Sequence, residues 1–140
     1  MKLEAAWVRD FAQRYTGAWC SQEASRVAEF FALNGALSVN CAPAVGRGAI
    51  TEVAQGFMSA FPDMELRMDD VRVQGDGAVY RWTFIGTNSG PGGTGQRVRF
   101  SGYEEWKFGE DGLIAESQGH FDAADYRRQV EGGGEGKSRN

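Results

Sequence analysis

Hydrophobic and polar positions along this chain change their period partway through. Up to about residue 61 the apolar residues recur at helical spacing, and from Met64 onward they alternate. Trp7, Phe11, Tyr15, Ala18 and Trp19 predict an amphipathic helix over about residues 4 to 19. Ser21 stands as the cap of a second, short helix that carries Glu23 and Ala24 in its first turn and turns Val27, Phe30 and Phe31 inward. Asn34-Gly35 reads as a turn, residues 36 to 39 as a short strand, and residues 40 to 48, with Pro43 and Gly46, as a loop. Ile50, Val53, Phe57 and Phe61 predict a third helix that Pro62 ends.

In the second half Leu66 and Met68 alternate, and then Val71 and Val73 do so in the other phase, so a bulge is expected at Asp69-Asp70. Gly75-Asp76-Gly77 turns the chain into a strand with Tyr80, Trp82 and Phe84 on one face. A glycine-rich hairpin tip over residues 87 to 96 follows. The stretch from Arg97 to Asp122 reads as two long strands joined by the turn Gly109-Glu110-Asp111-Gly112. Val98, Phe100, Gly102, Glu104, Trp106 and Phe108 share one face, which is apolar except for Glu104. Pairing Phe108 with Leu113 sets Trp106 opposite Ala115, Glu104 opposite Ser117 and Gly102 opposite Gly119. Small residues around one carboxyl group leave room on a face that is otherwise core, which predicts a pocket containing an acid. A terminal helix is expected over residues 122 to 131.

Helices first and an antiparallel meander afterwards make the fold α+β, with a curved sheet wrapped over the N-terminal helices as a cone around an internal pocket. One domain is expected over residues 1 to 131. A disordered tail is expected over residues 132 to 140, because they hold no apolar side chain.

Composition narrows the class. In 140 residues the hydrophobic share is 41%, enough for a core. The net charge of −4 with dispersed Lys and Arg argues against nucleic acid and anionic membranes as partners. There is no run of about 18 apolar residues and no apolar leader at the N-terminus, so a cytoplasmic location is expected. Cys20 and Cys41 read as free thiols, and one His with two Cys at no ligand-like spacing gives no metal site.

The order of elements resembles the nuclear transport factor 2-like (cystatin-like) superfamily, and within it the SnoaL-like polyketide cyclases. The resemblance is carried by Tyr15, Trp19 and Val27-Ala28-Glu29-Phe30-Phe31, by Val45-Gly46-Arg47-Gly48-Ala49-Ile50, by Asp111-Gly112-Leu113-Ile114-Ala115-Glu116, and by Asp122 with Arg128-Gln129. Ketosteroid isomerases are similar at Gln13-Arg14-Tyr15 and at Glu104 before Glu105-Trp106-Lys107-Phe108. In that family a tyrosine and a neutral carboxylic acid donate hydrogen bonds to a developing oxyanion. Their general-base aspartate falls at Asn40-Cys41 here, where an amide cannot take a proton, so steroid isomerisation is not expected. The Asp-Arg-Asp set of limonene epoxide hydrolases also lacks a counterpart, since Arg97 and Arg99 flank a valine.

The resemblance implies acid–base chemistry on a small apolar carbonyl-bearing or cyclic molecule, with no metal or cofactor, in a homodimer built on the sheet's outer face through Tyr80, Trp82 or Tyr103. Asp122 with His120 would move protons; Tyr15, Glu104 and Asn40 would bind the substrate oxygen, and Trp82, Phe100 and Trp106 would line the pocket. Two readings compete for these residues. Asp122 with Asp125 is also the pattern of a helix N-cap, and alternation puts His120 and Asp122 on the face opposite Glu104. The rival function is a non-catalytic module of the same fold that binds a hydrophobic ligand or a partner protein.

Overall fold

A computed structural model describes residues 3 to 133. The tail expected at 132–140 therefore lies, from residue 134 on, outside the described residues. The chain runs α1 (Ala5–Trp19), α2 (Ala24–Ala28), β1 (Phe31–Val39), β2 (Ala42–Val45), α3 (Arg47–Ala60), β3 (Glu65–Gln74), β4 (Gly77–Thr87), β5 (Arg97–Phe108), β6 (Ile114–Phe121) and α4 (Ala123–Arg128). One wide helical turn over Gln129–Gly133 follows. Among these elements no helix is long and apolar enough to cross a membrane.

The six strands form one curved sheet in the order β2-β1-β6-β5-β4-β3. The meander from β3 to β6 is antiparallel, as its turns require. The expectation of a purely antiparallel sheet fails at one seam, where β6 returns to lie parallel to β1. The sheet closes its far edge through a strand placed early in the chain, and period alone carries no signal for so distant a pairing.

Three local expectations also change. Ser21 does not cap α2. Its Oγ donates to Ala18 O at 2.6 Å and accepts from Glu23 N at 3.0 Å, so it finishes the end of α1 while Glu23 opens α2. The chain does not turn at Asn34-Gly35 but passes through as β1, with an irregular register against β6. Gly35 is needed there because a Cβ would lie 2.9 Å from Ile114 O. The expected loop at 40–48 contains β2, joined to β1 by the two-residue turn Asn40-Cys41 with φ of 48° and 72°. Two left-handed residues in a row suit the right-handed twist of a tight hairpin.

The bulge expected at Asp69-Asp70 is present as a register shift between Met68 and Asp70. In β5 the alternation holds, with Val98, Phe100, Glu104, Trp106 and Phe108 buried. The hairpin to β6, however, is two residues out of the expected register. Phe108 pairs with Ile114, and after an extra residue at Ala115 Trp106 faces Ser117, Glu104 faces Gly119 and Gly102 faces Phe121. The cause is a wider turn, closed by Gly109 N to Leu113 O at 2.9 Å and by Asp111 Oδ1 accepting from Leu113 N at 3.0 Å. Beyond the extra residue the shift is two, so Ser117, Gly119 and Phe121 keep their expected face; at the turn it is one, and Ile114 is buried opposite Phe108 where Leu113 was expected.

The helices cover the inner face of the sheet. Phe11 meets Trp106 and Phe108 edge-on, and Tyr80 stacks on Trp106 at 4.8 Å. From α3, Phe57 packs against Trp19 and Phe84. Tyr80 and Trp82, considered for the outer face, both turn inward, and only Tyr103 of the three lies outside.

Beyond Gly102 strand β5 has no β6 partner, and Gln129, the residue that caps the end of α4, supplies one. Gln129 is 1% exposed; its Oε1 accepts from Arg99 N at 2.7 Å and its Nε2 donates to Arg99 O at 2.9 Å. A side-chain amide thus replaces a strand residue and satisfies both main-chain groups. Replacing Gln129 with Leu is expected to lower stability by about 1–3 kcal/mol, because both groups of Arg99 lose their partner. Thermal unfolding and amide hydrogen exchange check this. Unchanged protection of the Arg99 amide would contradict it.

Candidate functional site

An internal cavity of about 50 Å³ lies between the helices and the sheet. Trp19 of α1 and Phe57 of α3 border it from above, and Leu37 and Val39 of β1 close one side. From the rest of the sheet come Leu66, Trp82, Phe84, Phe100, Glu104, Gly119 and Phe121. Glu104 is the one ionisable side chain in this lining.

Strand alternation puts Glu104 inward, where it is 7% exposed. Its Oε1 accepts from Trp106 Nε1 at 2.8 Å, Ser117 Oγ at 2.8 Å and Tyr15 OH at 3.0 Å. The other oxygen, Oε2, has only the longer leg of the Tyr15 bond, at 3.2 Å. Burial raises the carboxyl group above the ordinary glutamate range, and the bonds from Trp106, Ser117 and Tyr15 pull partly the other way. With Oε1 filled by donors, a proton on this acid belongs on Oε2. Tyr15 is fully buried, and burial first, then the nearby Glu104, pushes its hydroxyl well above the usual tyrosine range. It is a neutral donor whose proton is already given to Glu104.

Among the expected site residues, Glu104, Trp82 and Phe100 border the cavity directly. Tyr15 and Trp106 act one step back, by holding Glu104. Asn40 lies elsewhere: its Oδ1 accepts from Phe121 N at 2.9 Å and fixes the end of β6 against the β1–β2 turn. His120 and Asp122 lie on the outer side of the sheet with Arg81, Ser101 and Tyr103 around an open hollow. His120 Nε2 meets Glu105 Oε1 at 3.0 Å, and its ring rests 4.8 Å from that of Tyr103. Asp122 Oδ1 accepts from Asp125 N at 3.0 Å as the N-cap of α4. Of the residues around that hollow only Phe121 also borders the cavity.

Trp19 and Ser117 are the main residues the sequence reading left out of the site. Trp19 closes the α1 stripe and looks like ordinary core. Ser117 was visible only as a small neighbour of Glu104, because its bond depends on a β5–β6 register that the turn hides. Among the described residues no three His, Cys, Asp or Glu come together as a metal-binding group, and Cys20 and Cys41 are free.

An acid raised in the folded chain binds its proton more tightly there than when unfolded. Its contribution is therefore full below the unfolded value of about 4.3 and is lost as pH rises through the higher folded value. Stability of the parent relative to Glu104→Gln is expected to fall across that window and then level off. The amide keeps an acceptor for all three donors, so its stability at pH 7 should stay within about 1 kcal/mol of the parent. Glu104→Ala strands three buried donors and should cost about 3 kcal/mol or more. Thermal unfolding of the three proteins from pH 4 to 8 checks both expectations.

The whole arrangement can be set beside known proteins. No curated protein matches this sequence. A solved structure of TsrD from Streptomyces laurentii shares 24% identity and a TM-score of 0.79, over 92% of this chain and 98% of that one. A candidate SnoaL-like polyketide cyclase from Jannaschia sp. CCS1 superposes with a TM-score of 0.80 at 15% identity, over 94% and 98% of the two chains. A hypothetical protein of ketosteroid isomerase-like fold from Catenulispora acidiphila, solved with trimethylamine, gives 0.76 at 13% identity over 94% and 98%. At such identities these likenesses speak to the fold alone. The family model for SnoaL-like polyketide cyclase matches residues 9–130, which is most of the chain, and this protein therefore belongs to the SnoaL-like polyketide cyclase family.

Proposed function

We propose that this protein is an enzyme that carries out acid–base chemistry, without a cofactor, on a small apolar carbonyl-bearing or cyclic molecule held in the internal cavity. One observation carries the reading: a buried carboxyl group whose Oε1 is saturated by Tyr15, Trp106 and Ser117 stands in an apolar cavity wall with Oε2 largely uncommitted. In its protonated form Glu104 donates from Oε2 to a substrate carbonyl. As the α-proton leaves to water, the charge that develops on the carbonyl oxygen is held by that donor in a site of low dielectric. The donors on Oε1 fix the acid in place beforehand, so little reorganisation accompanies the reaction. This assignment gives the proton work to Glu104, since His120 and Asp122 are bonded on the outer side of the sheet.

That outward placement favours a second reading, a non-catalytic carrier of a neutral ring compound. The two readings separate on one measurement. Exchange of the methyl protons of acetophenone in heavy water, followed by proton NMR, is expected to run faster with the protein than in buffer. With Glu104→Gln it should fall by about tenfold or more, the usual scale of a lost acid catalyst. Binding of acetophenone without any faster exchange supports the carrier and removes the enzyme.

We also propose a homodimer through the outer face of the sheet. On that face the Arg81 guanidinium lies over the Tyr103 ring, and Tyr103 lies against His120. Light scattering at micromolar concentration is expected to return a particle of two chains. A monomer-sized particle overturns this part.

A further inference from the structure

The cavity beside Glu104 is small for the rings that line it. Its volume of about 50 Å³ is about a third of what holds one benzene ring, and gives room for about three or four non-hydrogen atoms. The walls have little freedom to widen. Glu104 is bonded through Oε1 to Tyr15, Trp106 and Ser117, and the Trp82 ring occupies the place that a side chain at Gly102 would need. No Lys, Arg or His borders the space, so nothing there would meet an anion. What fits beside Glu104 is a neutral fragment the size of an acetyl group, not a ring.

The wall reaches the surface on one side. Its residues are buried except Val39, Phe57 and Phe121, which are half-buried. Val39 and Phe121 end neighbouring parallel strands, β1 and β6, where Val39 pairs with Gly119 and Asn40 Oδ1 accepts from Phe121 N at 2.9 Å. Phe57 of α3 is linked to the same side by Tyr126 of α4, whose ring lies 5.6 Å from that of Phe121 and 6.5 Å from that of Phe57. Tyr126 is itself half-buried and stands outside the lining. Aromatic rings from three elements thus meet at the rim, an apolar surface on which a flat ring can lie at ordinary ring–ring distances.

We propose that the protein selects a ligand in two parts: an acyl end no larger than acetyl, enclosed with its oxygen toward Glu104, and a flat apolar ring that stays at the rim against Phe57 and Phe121. Tyr126 is then a positioning residue, because it braces the two rim rings without bordering the space around the acid. This rests on the small-molecule reading of the same cavity and adds which end of the ligand is restricted. Growth at the acyl end meets closed walls. Growth on the far side of the ring meets solvent.

Four ketones test the division. Each is titrated into 15N-labelled protein and followed by NMR, which reads weak binding without requiring turnover. Propiophenone adds one carbon to the acyl end of acetophenone, and 4-methylacetophenone adds one to the far side of the ring. The first is expected to bind about tenfold more weakly than acetophenone, the scale on which a full pocket rejects one methylene. The second is expected to bind at least as well, with a gain of up to about fourfold from added apolar contact. Acetone, which has no ring, should enter the same space weakly. Tyr126→Leu should weaken acetophenone by about threefold or more and leave the affinity for acetone unchanged, a split that a general loss of packing does not give. Should that variant fail to fold, the order of the ketones on the parent decides alone. Propiophenone binding as well as acetophenone, or 4-methylacetophenone losing as much as propiophenone, overturns the proposal and leaves the cavity reading in place. If binding is too weak to measure but exchange is accelerated, the acceleration of each aryl ketone over its own rate in buffer decides in the same way. If no ketone binds and none exchanges faster, both readings fall together.

Discussion

A carboxyl group enclosed by aromatic rings must replace the water it has lost, and much of this protein is arranged around that requirement at Glu104. The replacements come from three elements: Tyr15 on α1, Trp106 two residues along Glu104's own strand β5, and Ser117 on β6. Two of the bonds cross between elements, so the acid works as a joint between α1 and the strands β5 and β6. The rings that carry the donors are themselves packed, with Tyr15 5.1 Å from Trp106 and Trp106 stacked on Tyr80. Moving the acid would therefore disturb the center of the core. Its orientation is stiff because its donors cannot turn away.

That stiffness explains why the cavity lies beside Glu104. Across the β5–β6 seam the acid faces Gly119, which has no side chain to fill the space above the sheet. Gly102, the other glycine on this face, does not open a void. The Trp82 ring lies where its Cβ would be, with the nearest ring carbon 2.6 Å from that position. One glycine borders the cavity and the other makes room for its wall. Phe100 and Phe121 then close the end near α4, where Tyr126 packs on both at 5.0 and 5.6 Å.

Much of this was legible in the sequence, for definite reasons. The change of period separated helices from sheet, and a lone acid among Phe100, Trp106 and Phe108 marked the site because alternation fixes the face of each residue. Alternation also anticipated that His120 and Asp122 point away from Glu104, as they do. What stayed hidden depended on contacts without a local signature. The Asn40-Cys41 hairpin has no glycine, so β2 read as loop. The parallel seam between β1 and β6 joins segments about eighty residues apart. Tyr15 reaches Glu104 across 89 positions, and the resemblance to ketosteroid isomerases brought the two together while leaving open that the hydroxyl would be spent on the acid itself. The order and spacing of elements told more here than the chemistry of single residues.

The Gln129 clamp has a consequence for how this chain can change over generations. Of residue 99 its amide reads only the main-chain N–H and C=O, not the arginine side chain, while its Nε2 also donates to Asp125 Oδ2. Any amino acid with a backbone N–H could occupy position 99 and leave α4 docked; proline alone would break the grip. The terminal helix, and Tyr126 against the cavity wall with it, is thus insulated from drift in the strand it leans on. Position 99 is exposed and free to take on a new surface role, while position 129 is held to an amide of one length.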